Sequence, residues 1–243
     1  MRVSEYLPEA IPGPAAVLYS LVPGNLGRPA QRRLAAAVHQ ALPADARLVV
    51  DVGCGPGWLA IELARQRPEL HVVAVDLSPM MTRISRFNAR GQGNVDVRCE
   101  NAASMSLEDG AADMIVSAES MHHWREPVSV LDEFHRVLRP GGRAWIFDGR
   151  SDFGPDDLKG FTVFGDRRPP ALVRAIMRQI LGIHGFSRTD WETHVPNLVQ
   201  LSRFRAGRIE PQGHVKVPKA GVGTKDVRSG GVVMQSLVEI AGG

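Results

Sequence analysis

The stretch Leu48-Val-Val-Asp-Val-Gly-Cys-Gly-Pro-Gly-Trp-Leu-Ala60 most constrains what this chain can fold into. Leu48, Val49, Val50 and Val52 form a short apolar, β-branched run, the composition of a strand buried on both faces of a parallel sheet. Gly53, Gly55 and Gly57 follow at once, and Leu59, Ile61, Leu63 and Ala64 then open a helix that ends near Pro68. A strand, a glycine-rich turn and a helix N-terminus together let the backbone approach a ligand closely. An ordinary tight βα turn is the plainer reading, but three alternating glycines directly after a buried strand argue against it. The spacing narrows the ligand. A dinucleotide fingerprint, G-x-G-x-x-G, would need glycine at 58, where this chain has Trp58.

At 243 residues the chain can bury one sizeable core, so a single α/β domain is expected. A hydrophobic fraction of 44% and a charged fraction of 23% are ordinary for a globular protein. No run of about 18 apolar residues marks a membrane span. The N-terminal stretch carries Glu5, Glu9, Pro8, Pro12 and Pro14 in place of a secretory apolar core. With two cysteines, Cys54 and Cys99, a disulfide framework is excluded and a cytoplasmic location is the expectation. The net charge of +3 sits in the second part, where residues 151–243 hold 13 Lys/Arg against 9 acids. Those charges are dispersed, which reads as a solvated surface and argues against a nucleic-acid partner.

Along the chain, residues 1–28 are rich in Pro and Gly yet hold Tyr6, Val17, Leu18, Tyr19 and Leu21, so short helical pieces packing over the domain are expected. Pro29 suits the first turn of a helix running to about Leu42. His71 to Val75 reads as a second strand closing on Asp76, and Ser78 and Pro79 supply the N-cap and first residue of a helix. Met80, Ile84 and Phe87 are its expected core face. Val95–Cys99, Ala112–Ser117 and Arg143–Phe147 are the third to fifth strands, with a helix over Val128, Leu131, Phe134, Val137 and Leu138 between the last two. Past Asp148 the pattern changes. A loop carrying Phe153, Phe161 and Phe164, helices over 171–182 and 189–203, and a closing pair from 214–217 and 232–240 are expected.

The run Glu133-Phe-His-Arg-Val-Leu-Arg-Pro-Gly-Gly142, the G-x-G-x-G turn after Asp51, Asp113 and the His122-His123 pair resemble the class I S-adenosylmethionine-dependent methyltransferases, in particular the ubiquinone/menaquinone-biosynthesis type. The resemblance covers roughly residues 45–150. It implies a Rossmann-like, seven-stranded, mostly parallel sheet with helices on both faces, a closing antiparallel strand, an N-terminal helical lid and an insertion after the fifth strand. On this reading residues 1–44 are helices and lid, 45–150 the cofactor-binding core, 151–205 variable substrate-side helices and 206–243 closing strands. It also implies S-adenosylmethionine as cofactor and S-adenosylhomocysteine as product. Asp51, Gly53, Cys54, Gly55 and Gly57 would hold the methionine part, Asp76 and Leu77 the ribose, Asn101 and Ala102 the adenine edge, and the Ser117 backbone the amino group.

Asp76, 19 residues beyond Gly57 at the end of a strand, suits a bidentate grip on ribose hydroxyls. Asn101 departs from the aspartate more usual at its position. His122 and His123 are the base candidates, since histidine titrates near neutral pH, and they share the expected acceptor side with Tyr19, Glu119, Asp148 and Trp191. No His/Cys cluster has metal-ligand spacing, so a metal-independent reaction is expected. The fourth strand ends Ser117-Ala-Glu-Ser, which lacks the Asn/Asp-Pro-Pro-aromatic motif of amino-methylating nucleic-acid enzymes. The resemblance implies a small-molecule methyl acceptor, and a monomer or homodimer is the expectation. The rival readings are an RNA-modifying enzyme and a regulatory protein that binds the cofactor without turnover.

Overall fold

The computed structural model describes residues 9–20, 28–148, 187, 189–210, 214–215, 232–233 and 236–241. The expected loop carrying Phe153, Phe161 and Phe164 and the helix over 171–182 lie outside the described residues. Among the described ones, α1 (Gly13–Tyr19) and α2 (Arg28–Ala41) precede β1 (Leu48–Val52), α3 (Trp58–Gln66), β2 (His71–Asp76), α4 (Pro79–Asn88) and β3 (Val95–Cys99). Next come β4 (Ala112–Ala118), a single 3-10 turn (Met121–His123), α5 (Pro127–Val137) and β5 (Leu138–Asp148). A π turn (Asp190–His194) runs into α6 (Val195–Leu201), followed by β6 (Arg208–Glu210) and β7 (Ser236–Ala241).

The strands hydrogen-bond in the order β3-β2-β1-β4-β5-β7-β6. The first five are parallel, and β7 runs antiparallel to both β5 and β6. Parallel neighbours require crossovers, and α3, α4 and α5 are those crossovers. Side chains alternate across the pleat, so each strand feeds two cores. Val49, Met114, Val116 and Phe147 pack under α2 and α3. Val50, Val52, Ile115 and Ile146 pack under α5 and α6, with Phe134 and Trp191 fully buried among them. Each large side chain removed from water there contributes about 2–3 kcal/mol.

The Glu133/Arg136 part of the sequence motif is a clamp. Glu133 accepts the Met105 N–H at 2.6 Å and pairs with Arg136, which donates to the Met105 and Leu107 carbonyls. The clamp fastens α5 to the segment that leads into β4. Asp113 acts similarly at the other end of the sheet, accepting the Arg47 and Leu48 N–H groups and pairing with Arg139 at 2.7 Å.

Several expectations need correction. The buried face of α4 is Met81, Thr82 and Ser85, while Phe87 is 59% exposed beneath the Arg90 guanidinium. The reason is steric. A Cβ at Gly57 would overlap the Ser85 hydroxyl, so the helix turns small polar residues toward the glycine turn in place of large apolar ones. β5 begins at Leu138, five residues earlier than expected, with an irregular register to β4 between Ala112 and Met114. The expected helix over 189–203 is a π turn followed by α6, and Leu201 is exposed. The expected closing pair also divides differently. His214–Val215 pairs with Val232–Val233 in a separate two-stranded ribbon, and β7 closes the main sheet against β5.

Gly57 has φ +82°, a left-handed conformation that costs a residue with a Cβ about 1–2 kcal/mol. Crowding against Ser85 adds about 1–3 kcal/mol. Gly57→Ala is therefore expected to lower unfolding free energy in denaturant titrations by about 2–5 kcal/mol, and Gly57→Ala/Ser85→Gly to recover the crowding part. A double variant no more stable than the single one would contradict the close-packing account.

Candidate active site

The carboxyl ends of β1, β2, β4 and β5 converge beside the glycine turn, where ligands bind in open α/β sheets. Asp76, last residue of β2, is the connecting group. Its Oδ2 accepts the Gly55 N–H and its Oδ1 the Ser78 N–H, both at 2.8 Å. The carboxylate thus joins the glycine turn to the start of α4. Accepting these N–H groups does not exclude the expected ligand role, because each oxygen keeps a lone pair after accepting one N–H. Gly55 has φ +51°, and a Cβ built there would meet nothing within 4 Å, so its Cα faces open space. Gly53 and Gly57 instead abut Ser120 and Ser85. Among the described residues, the middle glycine of the three is therefore the one with open space at its Cα.

Asp51 points from β1 to the first turn of α3, where its Oδ2 accepts the Ala60 N–H at 3.1 Å. Burial pushes its carboxyl up to about 7; the Ala60 bond opposes this and the neighbouring Asp76 charge adds to it. Burial likewise raises Asp76, against the pull of its Ser78 and Gly55 bonds. Cys54 is buried with its thiol near Ser85 and is raised well above the usual thiol range by burial, then by Asp76 and Asp51. Leu77 is half-buried. Asn101 is exposed, with Oδ1 taken by the Ala103 N–H at 2.9 Å, and Ala102 packs against the core. Ser117 is fully buried, and its hydroxyl has no partner among the described residues.

On the acceptor side, His122 and Asp148 form a pair that sequence reading left unconnected. Asp148 ends β5 and His122 follows β4, its neighbour in the sheet. The Asp148 carboxylate accepts the His122 main-chain N–H at 2.8 Å and lies 2.6 Å from ring Nδ1. Both residues are buried. Because the partner is a carboxylate, the ring proton belongs on Nδ1, which leaves Nε2 as the basic nitrogen. Burial works to lower the His122 pKa, and the Asp148 charge and hydrogen bond, with Glu119 nearby, outweigh it and raise it. The His123 ring lies 4.3 Å from that of His122. Glu119 has φ +58°, a left-handed backbone unusual for a residue with a side chain and typical of strained functional turns.

The N-terminal helix reaches this cluster. Ser78 Oγ donates to the Ile11 carbonyl at 2.9 Å, Glu9 pairs with Arg125 at 3.7 Å, and α1 rests on α4. Tyr19 is pushed up to about 12 by burial, then by Glu119 and Asp76. More than a third of its surface remains exposed, so the shift reflects the shielded hydroxyl end and not the whole ring. Trp191 differs from the expected substrate wall. It is sealed inside the α5–α6 core with no exposed surface. Ser85, Ser120 and Arg28 were not foreseen. The first two are legible only from the space that glycines leave, and the third only from α2 packing on α3. Among the described residues, no three His, Cys, Asp or Glu side chains gather as a metal site, and no helix is long and apolar enough to cross a membrane.

A doubly wound sheet with a glycine turn at the end of β1 and an acid at the end of β2 is an arrangement shared with nucleotide-binding α/β proteins. Comparisons with known proteins show what this core is similar to. Residues 50–146 match the methyltransferase domain family. The chain is 32% identical over 136 residues to a ubiquinone biosynthesis O-methyltransferase of Xylella fastidiosa, spanning 55% of this chain and 51% of that protein. It is 33% identical over 114 residues to a demethylmenaquinone methyltransferase of Thermus thermophilus, spanning 46% and 51%. The chain thus spans about half the length of these curated relatives. In fold it is similar to a Methanococcus maripaludis protein assigned to the S-adenosyl-L-methionine-dependent methyltransferases, with TM-score 0.66 and 19% identity over 96% of this chain and 94% of that one. Over residues 50–146 the chain is thus similar to the methyltransferase domain family, on a fold shared with that Methanococcus maripaludis protein.

The Asp51 carboxyl gives a pH test. Its folded pKa of about 7 lies above the ordinary 3.8, so its contribution to stability is fully present below about pH 4 and is lost as pH rises through 7. Asp51→Asn can still accept the Ala60 N–H. It should remove this pH dependence, so the variant is expected to gain on the wild type between about pH 4 and 7, by about 1.4 kcal/mol for each pH unit at most. Parallel stability–pH curves for the two proteins would contradict the assignment.

Proposed function

We propose that this chain moves a methyl group from S-adenosylmethionine to a hydroxyl of a small-molecule acceptor. The observation that carries the reading is Asp76, fixed by the Gly55 and Ser78 N–H groups beside the open face of Gly55. A carboxylate so held, with lone pairs remaining, suits the two hydroxyls of an adenosine ribose. Leu77 and Ala102 would flank the adenine and Asn101 would meet its edge through the amide nitrogen, since its oxygen is engaged. Gly53 and Gly55 would border the amino-acid end, Asp51 would face its ammonium, and the Ser117 main chain would meet the same group. When bound, the cofactor supplies an electrophilic methyl carbon on a sulfonium.

This chain's residues position the acceptor and manage its proton. His122, oriented by Asp148, takes the hydroxyl proton at Nε2, which raises the nucleophilicity of the oxygen. Glu119, His123 and Tyr19 border the acceptor. α1, with Tyr19 next to Glu119 and Asp76, acts as a lid that shields the reacting atoms from water. An oxygen acceptor is also supported by relatives whose names specify O-methyl transfer.

Two measurements test the reading. In calorimetry, Asp76→Ala should weaken S-adenosylmethionine binding by about 2–3 kcal/mol, the worth of a charge-assisted pair of hydrogen bonds. Undiminished affinity would overturn the ribose assignment. With a hydroxylated aromatic acceptor, turnover should rise with pH through a midpoint above the ordinary histidine value of 6.5, because His122 must lose its proton before it can act. His122→Gln should slow turnover by about 100-fold or more. Asp148→Asn should move the midpoint down, and a midpoint that stays put would exclude His122 as the base.

A further inference from the structure

We propose that the outer surface of the helical layer α2–α3–α4 docks on an anionic lipid bilayer, a role independent of the cofactor reading. Right-handed crossovers in the order β3-β2-β1 put α3 and α4 on one face of the sheet, and α2 packs beside α3. These three helices carry six arginines (Arg28, Arg32, Arg33, Arg65, Arg83 and Arg86) and one acid, Glu62. On the opposite face the π turn, α5 and α6 carry one arginine, Arg136, and four acids, Asp132, Glu133, Asp190 and Glu192. A net charge of +3 for the whole chain conceals this separation, which the fold creates.

The basic layer is not neutralised from within. Arg32, Arg83 and Arg90, which follows α4, are exposed and pair with no carboxylate among the described residues. Arg86 donates to the Val97 carbonyl at 3.1 and 2.9 Å, a neutral acceptor that leaves its charge standing. From Leu77 to Val95 the chain has no acid. Apolar side chains sit among these cations. Phe87 is 59% exposed with the Arg90 guanidinium carbon 3.5 Å from its ring centroid, and Val17 is exposed on α1, which rests on α4. An aromatic ring flanked by guanidinium groups suits a bilayer surface, where the ring enters between headgroups and the cations meet lipid phosphates. Three helices side by side give a surface about 30 Å across, broad enough to engage many headgroups. A single-stranded nucleic acid fits less well, because Arg90 already covers the ring that a base would stack on. A second copy fits less well too, because acids of the opposite layer are engaged. Glu133 pairs with Arg136, Asp132 accepts the Arg203 N–H at 2.7 Å and Asp190 the Ser187 N–H at 2.9 Å.

Cosedimentation of the full chain with vesicles tests the assignment. The protein should bind equimolar phosphatidylglycerol and phosphatidylcholine but not phosphatidylcholine alone, and raising ionic strength from about 0.05 to 0.5 M should release it. Arg32→Gln/Arg83→Gln/Arg90→Gln should weaken binding about 100-fold, or about fivefold for each guanidinium lost. Glutamine keeps the helix propensity of arginine, so thermal unfolding should be unchanged in that variant. Phe87→Ser should weaken binding about tenfold, whereas Leu201→Ser, at an exposed position on the opposite layer, should leave it intact. Equal binding to neutral and anionic vesicles, full binding by the triple variant, or an equal loss in Leu201→Ser would overturn the assignment. Tighter binding to an RNA oligomer than to the vesicles would overturn it in favour of a nucleic acid. A salt-sensitive dimer that ignores vesicles would overturn it in favour of a second copy.

Discussion

One carboxylate holds the site in shape. Asp76 reaches from the end of β2 to the Gly55 N–H on one side and the Ser78 N–H on the other. Without it, the middle of the glycine turn and the first turn of α4 would each lose an acceptor for a half-buried N–H, at about 1–3 kcal/mol apiece. The bond to Gly55 also sets which way the turn faces. With Gly53 and Cys54 donating to Val75 and Gly57 donating to Cys54, every donor of the turn is directed inward. The open face left at Gly55 is bare Cα, which permits contact without offering charge. Polarity at the site comes instead from side chains at strand ends. That arrangement places Asp51 and Asp76 close enough that the Asp76 charge raises the affinity of Asp51 for its proton, and a cationic ligand relieves the cost.

The other half of the site follows from adjacency in the sheet. β4 and β5 are neighbours, so the residue ending β5 and the turn after β4 must meet, and the chain puts Asp148 and His122 there. Close packing holds the two halves together. Gly53 lies against Ser120, whose hydroxyl accepts the Trp124 indole N–H at 3.0 Å, so the β1 turn and the post-β4 turn fit face to face. Glu119, in a left-handed backbone, lets the chain reverse between β4 and that turn. The left-handed backbone at this one residue accompanies the placement of His122 and Asp148 at the carboxyl ends of β4 and β5.

Much of this was legible in the residues themselves. The β-branched runs, the Ser78-Pro79 helix start and the acids closing β2 and β5 are local signals, and their positions in the structure follow them closely. What could not be read was set by contacts distant in sequence. The α4 face was misjudged by one position because apolar spacing says nothing about a glycine turn pressing on Ser85. Trp191 looked like a pocket aromatic because nothing near it in the chain reveals that α6 folds under α5. β6 was missed because three residues carry too little pattern, and β7 was given the wrong bounds because glycines around Gly230 blur it. His122 and Asp148 were each singled out, yet their pairing depends on strand order, which single-residue chemistry does not encode.

The central claim is that the cleft above Gly55 receives the nucleoside part of the cofactor with Asp76 as its ribose acceptor. A crystal structure of the full chain with S-adenosylhomocysteine tests it most directly. The account requires both ribose hydroxyls within hydrogen-bond distance of Asp76 while that carboxylate keeps its Gly55 and Ser78 bonds, with the sulfur on the side of the cleft that faces His122. Ribose density elsewhere, or an Asp76 that must release Gly55 to admit the ligand, would contradict it.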